Sequence, residues 1–464
     1  MPPPDPRRAR IAEIDHEIAR LQAERCTVVA SLAFPVLTLP VEITSQFFIH
    51  CLPDNPLDPG ASEAAVVLGH VCRYWRDIAL SVPQLWSRWS VAIDSRHRSQ
   101  NRPLSIRLHH KDGAGDDVSA TDERWWDRAS DFVGDVMPLV FPHFRRWKHV
   151  EFNVPLTMLH ALSSPELNEE LPNLTHLSLG SAQHDWGYGD EEDSITLFTS
   201  APQLRSLHII LETDSNLGRL DHVELPFHQL TSFTGTMFSA MECLAVLAKM
   251  PALVDCVFHV GPRVPVQHIY LPLPPFTHLK SLELLSTAPH VHAAIVLENV
   301  TLPCLESLAL GRDGMSLPHI LTFPTLRRFS CEDVGREELA ECLENFPMLL
   351  TLELRDYNQS VAVEIIRHLD YLIQGAVGVP LIPLLESITL HCRRNGADGD
   401  FPFASLIRLL QTMSTRPTPL RHFRLVWTTP SLPRRPNLLE VAIFKEFVED
   451  GMDIHVGTPE NSWI

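Results

Sequence analysis

The chain has 464 residues, 45% of them hydrophobic and 20% charged, and a net charge of −19 from 38 basic and 57 acidic side chains. That length asks for two units or one elongated one, and the composition excludes wholesale disorder. The acidic excess disfavours broad binding to nucleic acid or anionic membrane.

Nine cysteines, an odd number with no C-x-x-C pair, read as small buried hydrophobes in a reducing compartment. No apolar run of about eighteen residues occurs, so no membrane span is expected. The expected location is cytoplasmic or nuclear.

Residues 7–34 carry Ile11, Ile14, Ile18 and Leu21 at three- and four-residue steps, resumed by Val28 and Leu32, with Arg25 in the seam. This spacing predicts an amphipathic helix. A dimerising coiled coil normally needs more heptads, so the expectation is a helix packed on its own domain. Dimerisation through this segment stays open.

Residues 35–90 read as a small helical domain. Pro40 suits the first turn of a helix, and Glu42 suits the positive end of its dipole. Ile43, Phe47 and Cys51 then recur every fourth residue, with Phe48 and Leu52 widening the stripe. Pro53, Pro56, Pro59 and Gly60 interrupt. One further helix is predicted on Leu68, Val71, Cys72, Trp75, Ile78 and Ala79, ending at Pro83.

The run from Leu39-Pro40-x-Glu42-Ile43, through Val71-Cys72-Arg73-x-Trp75-Arg76-Asp77-Ile78-Ala79, to Leu85-Trp86 resembles an F-box. It is most similar to the F-box-like proteins of mushroom-forming fungi. The resemblance covers residues 10–90 closely and the remainder in general layout. It implies docking to the Skp-type adaptor of a cullin ubiquitin ligase through Leu39, Pro40, Ile43, Phe47, Val71, Cys72, Trp75, Leu85 and Trp86. A module this small leaves apolar groups for a partner to cover.

Residues 91–146 read as a connecting segment and cap. PLSIRLHH (103–110) alternates like a strand that starts the following sheet, and Trp125-Trp126 are expected to close its end, or to line a binding site. The acidic loop 189–193 lacks EF-hand spacing and reads as solvated.

Residues 147–464 hold an internal repeat. LPNLTHLSL (171–179), APQLRSLHI (201–209), LPCLESLAL (302–310), FPTLRRFSC (323–331), FPMLLTLEL (346–354) and IPLLESITL (382–390) share proline, one residue, then L-x-x-L-x-L. With degenerate copies, the first apolar position falls at 147, 174, 204, 230, 253, 279, 305, 326, 349, 385 and 420. Most spacings fit leucine-rich repeats of about 20–29 residues; the last two, 36 and 35, signal insertions or a break. Helical patterns at 337–346, 361–373 and 405–413 lie between copies.

The expected fold is therefore α/β: a helical F-box-like module, then a leucine-rich-repeat-like solenoid of alternating strand and helix with a parallel concave sheet. Strand alternation turns the third and fifth residues of each L-x-x-L-x-L copy outward. The candidate target-binding face is His176, Ser178, Ser206, His208, Ser281, Glu283, Arg328, Thr351, Glu353, His422 and Arg424.

No H-E-x-x-H, G-x-S-x-G, Walker loop or dinucleotide fingerprint occurs, so no catalysis, cofactor or metal is expected. The expected function is substrate recognition for a Skp–cullin–F-box-type ubiquitin ligase. The partners would be the Skp-type adaptor, cullin through it, and an unidentified target protein. The alternative is a protein-binding scaffold outside such a ligase.

Overall fold

The computed structural model describes residues 6–32, 39–52, 60–82, 85, 88–90, 102–109, 140–153, 170–181, 195–211, 223–261, 273–286, 293–311, 323–332, 336–374, 382–393, 401–416, 418–428 and 434–464. Trp86, Trp125, Trp126 and the acidic loop 189–193 lie outside them. The chain divides into two compact units, 1–107 and 108–464, the boundary falling inside the segment expected to connect the module to the repeats.

The first unit contains helices α1 (Pro6–Leu32), α2 (Val41–His50), α3 (Gly60–Val71) and α4 (Arg73–Ser81), then strand β1 (Arg88–Ser90) and most of strand β2 (Leu104–His109), which pair in parallel. Its core is Phe48, Leu68, Ile78, Ala79, Val82 and Leu85, with Ile49, Leu52, Tyr74 and Trp75 packed against it.

Two sequence expectations, the single helix and the packing of α1, need correction here. The single helix expected across Leu68–Ala79 is two helices. Cys72 adopts an extended conformation (φ −159°, ψ 171°) and its Sγ accepts the Trp75 N–H, capping α4. The core side of α2 is Thr44 and Phe48; Ile43 and Phe47 point outward, because only one of two adjacent helical stripes can face a core this small. And α1 leaves every described side chain from Arg10 to Val28 exposed.

The second unit is built on strands β3 (Trp147–Asn153), β4 (His176–Ser181), β5 (Ser206–Leu211), β6 (Ser232–Phe238), β7 (Asp255–Val260), β8 (Ser281–Ser286), β9 (Ser307–Leu310), β10 (Arg328–Glu332), β11 (Thr351–Asn358), β12 (Ser387–Arg393), β13 (His422–Trp427) and β14 (Asp453–Gly457). Their order in the sheet follows their order in the chain, and each pairs in parallel with the next. This is the topology of a leucine-rich-repeat-like solenoid.

The repeat motif has a direct physical reading. In Leu171-Pro172-Asn173-Leu174 the Leu174 N–H donates to the Leu171 carbonyl. The same bond recurs from Leu204 to Ala201, Leu253 to Met250, Leu305 to Leu302, Leu326 to Phe323 and Leu349 to Phe346. Each proline thus occupies the second position of a turn, where its fixed φ costs nothing. The turn delivers the chain into its strand in constant register. All eleven first apolar positions, Trp147 to Leu420, are at most 2% exposed.

The next two positions, such as Leu177 and Leu179 or Leu352 and Leu354, are buried too. At the second of these positions β6 carries Gly235, where an added Cβ would come within 2.7–2.9 Å of the Phe233 and Phe238 rings. The phenylalanines fill the space that leucine takes in neighbouring repeats.

Repeat length sets what lies behind the sheet. Between the strands run α5 (Ala240–Lys249), α6 (Ala293–Glu298), α7 (Arg336–Glu344), α8 (Gln359–Gln374), α9 (Phe403–Ser414) and α10 (Leu438–Glu449). The two long spacings hold the 16-residue α8 and the 12-residue α9, while β11, β12 and β13 stay paired. The solenoid therefore continues across them without a break.

The strand β14 was not legible as a repeat. Gly451, at φ +97°, stands where the other copies carry a leucine or, in the first, Trp147. The chain then folds back so that Gly457 bridges Ser462 and the Trp463 ring stacks on Trp427 at 5.2 Å. A Cβ on Gly457 would lie 2.0 Å from the Asn461 carbonyl oxygen. Gly457→Ala is expected to lower unfolding free energy by about 1–3 kcal/mol through this overpacking. Urea denaturation followed by tryptophan emission checks it, and an unchanged midpoint would contradict the closed turn.

Candidate functional site

Two surfaces carry the residues singled out from the sequence, one on each unit. On the first, Ile43 is 48%, Phe47 61% and Val71 56% exposed. Pro40 is also exposed, and Leu39 half-buried. The Leu39 carbonyl accepts the Tyr74 hydroxyl at 3.1 Å, and the Pro40 carbonyl accepts both the N–H and the hydroxyl of Thr44. These bonds tie the entry of α2 to α4 and turn Ile43 and Phe47 outward on successive turns.

Three of the implied docking residues serve the module itself. Leu85 is 1% exposed and sits in the core. Trp75 packs edge-on against Phe48 with ring centroids 5.0 Å apart. Cys72 caps α4. Leu85 is buried by this packing, while Cys72 and Trp75 stay half-buried. The sequence reading overlooked Val41 on α2 and Val66 and Val67 on α3, which are 46%, 47% and 62% exposed. The signal was present: Val67 and Val71 are four residues apart, beside the buried Leu68 stripe.

On the second unit the parallel register aligns the outward residues in two rows. One runs His149, His176, Ser206, Ser232, Asp255, Ser281, Ser307, Arg328, Thr351, Ser387, His422, Asp453. The other runs Glu151, Ser178, His208, Thr234, Val257, Glu283, Ala309, Ser330, Glu353, Thr389, Arg424, His455. Every predicted face residue stands in these rows. Ser178 corrects the expectation of access: it is 7% exposed, lying 3.5 Å from His208 Nδ1.

The character of this face changes along the solenoid. Its first strands carry histidines: the rings of His149 and His176 are 4.7 Å apart, and Thr175 Oγ1 lies 2.8 Å from His176 Nδ1. The middle is mostly small and polar. The last strands carry ion pairs. Glu353 meets Arg355 Nε at 3.1 Å and His391 Nε2 at 3.4 Å. Asp356 pairs with Arg393, and Asp453 meets His422 at 3.2 Å. The His391 hydrogen bond, with help from Arg355, holds the Glu353 carboxyl below its ordinary pKa. Arg424 and His422 stay largely exposed.

Desolvation lowers the pKa of His176, aided by Lys148. It also lowers that of His208, where His259 adds and Glu151 opposes. A histidine whose folded pKa is depressed favours the neutral form on folding. Its contribution is full above the ordinary value near 6.5 and is lost as pH falls from there through the folded value. The urea midpoint is therefore expected to be lower at pH 5.5 than at pH 7.5, with a smaller drop in His208→Gln. An equal drop in the variant would contradict the assignment.

Among the described residues, no group of three or more His, Cys, Asp or Glu side chains is placed to hold a metal ion, and no helix is long and apolar enough to cross a membrane. Cys331 and Cys392 are buried, and desolvation raises the pKa of each to about 12. They are thiols of the core.

No family model matches the chain, and no curated protein matches it. Among solved structures, one match is the crystal structure of a TLR13–ssRNA13 complex, at 13% identity and a TM-score of 0.31. The match covers 68% of this chain and 43% of that one, so it spans less than half of the neighbour's length. A superposition this loose says nothing about this chain's ligands, and the repeat architecture stands on the strand order and register alone.

Proposed function

We propose that this chain is the substrate receptor of a Skp–cullin–F-box-type ubiquitin ligase, with no catalysis of its own. The single observation that carries the reading is the outward apolar surface of α2 and α3. Ile43, Phe47, Val67 and Val71 are about half or more exposed in a module whose core is already filled. Ile43, Phe47 and Val71 are three of the nine residues for which the F-box resemblance implies adaptor contact. Leaving these apolar side chains in water is unfavourable, and a partner that covers them recovers the hydrophobic free energy.

The solenoid's outward face supplies the second half. Its rows of accessible polar and charged groups offer a long surface for a protein target. Holding adaptor and target on one chain raises the effective concentration of the target at the ligase. The chain would work in the cytoplasm or nucleus, where such ligases act.

The test is a pull-down of the full chain and of the Leu39→Ala/Pro40→Ala variant, probed for the Skp-type adaptor and cullin. Capture of both by the wild type and neither by the folded variant is expected. Adaptor without cullin would replace the ligase role with that of a scaffold. Capture of neither by a well-folded wild type would reject the reading.

A further inference from the structure

We infer that α1 pairs with the same helix of a second copy of this chain, in parallel and in register. The helix is 27 residues long, about 40 Å at 1.5 Å per residue. Ile11, Ile14, Ile18 and Leu21 form a stripe along it and are 47–58% exposed. No described side chain between Arg10 and Val28 is buried. A helix serving only its own domain would turn this stripe inward.

The spacing is that of a seven-residue repeat. Ile11, Ile18 and Arg25 occupy one seam position, and Ile14, Leu21 and Val28 the other. Strict sevenfold spacing makes two helices supercoil along the seam.

Charge selects the occupant and the direction. The positions flanking the seam are Arg10, Glu17 and Glu24 on one side and Asp15 and Gln22 on the other. In a parallel, in-register pair each flanking residue faces the one five positions on in the second helix. Arg10 then meets Asp15 of the second copy, twice by symmetry, and Glu17 meets the neutral Gln22.

The polar interruption fits the same arrangement. Arg25 enters a hole lined by Leu21, Glu24, Arg25 and Val28 of the second copy, so the Glu24 carboxylate lies beside the guanidinium and offsets the Arg25–Arg25 approach. Antiparallel pairings are worse. One register sets Glu17 against Glu24 twice; the other offsets its two Arg10–Glu24 contacts by setting Glu17 against Glu17 and Asp15 against Asp15. Within a single helix Arg10 already bonds Glu13 at 2.9 Å and Arg20 bonds Glu17 at 2.7 Å. These exposed pairs are weak and leave Asp15 and Glu24 for the partner.

Sedimentation of the full chain from about 1 to 200 µM, a range suited to a short seam, tests this. The weight-average mass should rise toward two copies. Ile14→Glu should hold the chain monomeric with its circular dichroism retained. Arg25→Leu, which completes the seam, should tighten self-association roughly tenfold or more.

Arg10→Asp should weaken pairing, and Arg10→Asp combined with Asp15→Arg should restore it, because the exchange recreates the opposite-charge contact only in the parallel register. A wild type that stays monomeric throughout would overturn the inference. So would assembly beyond two copies, or an exchange variant no better than Arg10→Asp alone.

Discussion

Replacing Phe258 by alanine is expected to lower the unfolding free energy by about 3–5 kcal/mol, the range for a fully buried phenylalanine. The ring is 0% exposed, with centroids 5.4 Å from Phe233 and 6.0 Å from Phe238. Gly235 leaves room for that cluster by having no side chain. The surrounding backbone is held on both sides by parallel pairing to β6 and β8, so the site collapses little and the cavity persists.

In a solenoid each repeat touches mainly its neighbours, so the loss falls on the β6–β7–β8 interfaces. The unfolding curve is expected to split, strands before and after the defect melting separately. Urea titration by circular dichroism measures both effects. A loss below about 1 kcal/mol would show that the three rings are not a shared core.

Phe47→Asp is the second large effect. It should weaken binding of the Skp-type adaptor by at least roughly 30-fold, the scale of an aromatic hot spot lost from an interface centre. At 61% exposure the residue adds little to the fold, so the variant should unfold within about 0.5 kcal/mol of wild type. Its neighbour gives the control. Phe48 is 1% exposed, in the module core and against Trp75, and Phe48→Asp should unfold the module. Calorimetric titration with purified adaptor distinguishes the two, and equal binding by wild type and Phe47→Asp would remove this residue from the interface.

The solenoid was legible because its signal is redundant. The Pro-x-Leu turn recurs with the same hydrogen bond, and alternation then decides which side chains face in and which face out. One strand predicts the next, as Leu174 predicts Leu204. Legibility failed where a repeat used backbone instead of side chain: Gly451 and Gly457 shape β14 through conformational freedom and close approach, and no apolar letter marks them.

The helical module was harder for a different reason. Periodicity locates an apolar stripe but not its side. Phe47 and Phe48 are equally apolar, yet one is solvent-facing and the other core, and only the packing of α4 separates them. Cys72 broke a continuous helical pattern by capping, a choice invisible to hydrophobic spacing. On the outward sheet face, position was predictable but accessibility was not, since Ser178 lies beneath its neighbour His208. For α1 the seam was evident, but which surface covers it depends on charges at flanking positions, to be read against a second copy.

The adaptor surface carries the proposed function. Hydrogen exchange of the full chain, with and without the purified Skp-type adaptor, tests it directly. Slowed exchange confined to 41–51 and 60–71, with β3 to β14 unchanged, is the predicted result. No protection in those helices at saturating adaptor, or protection confined to the solenoid, would contradict it.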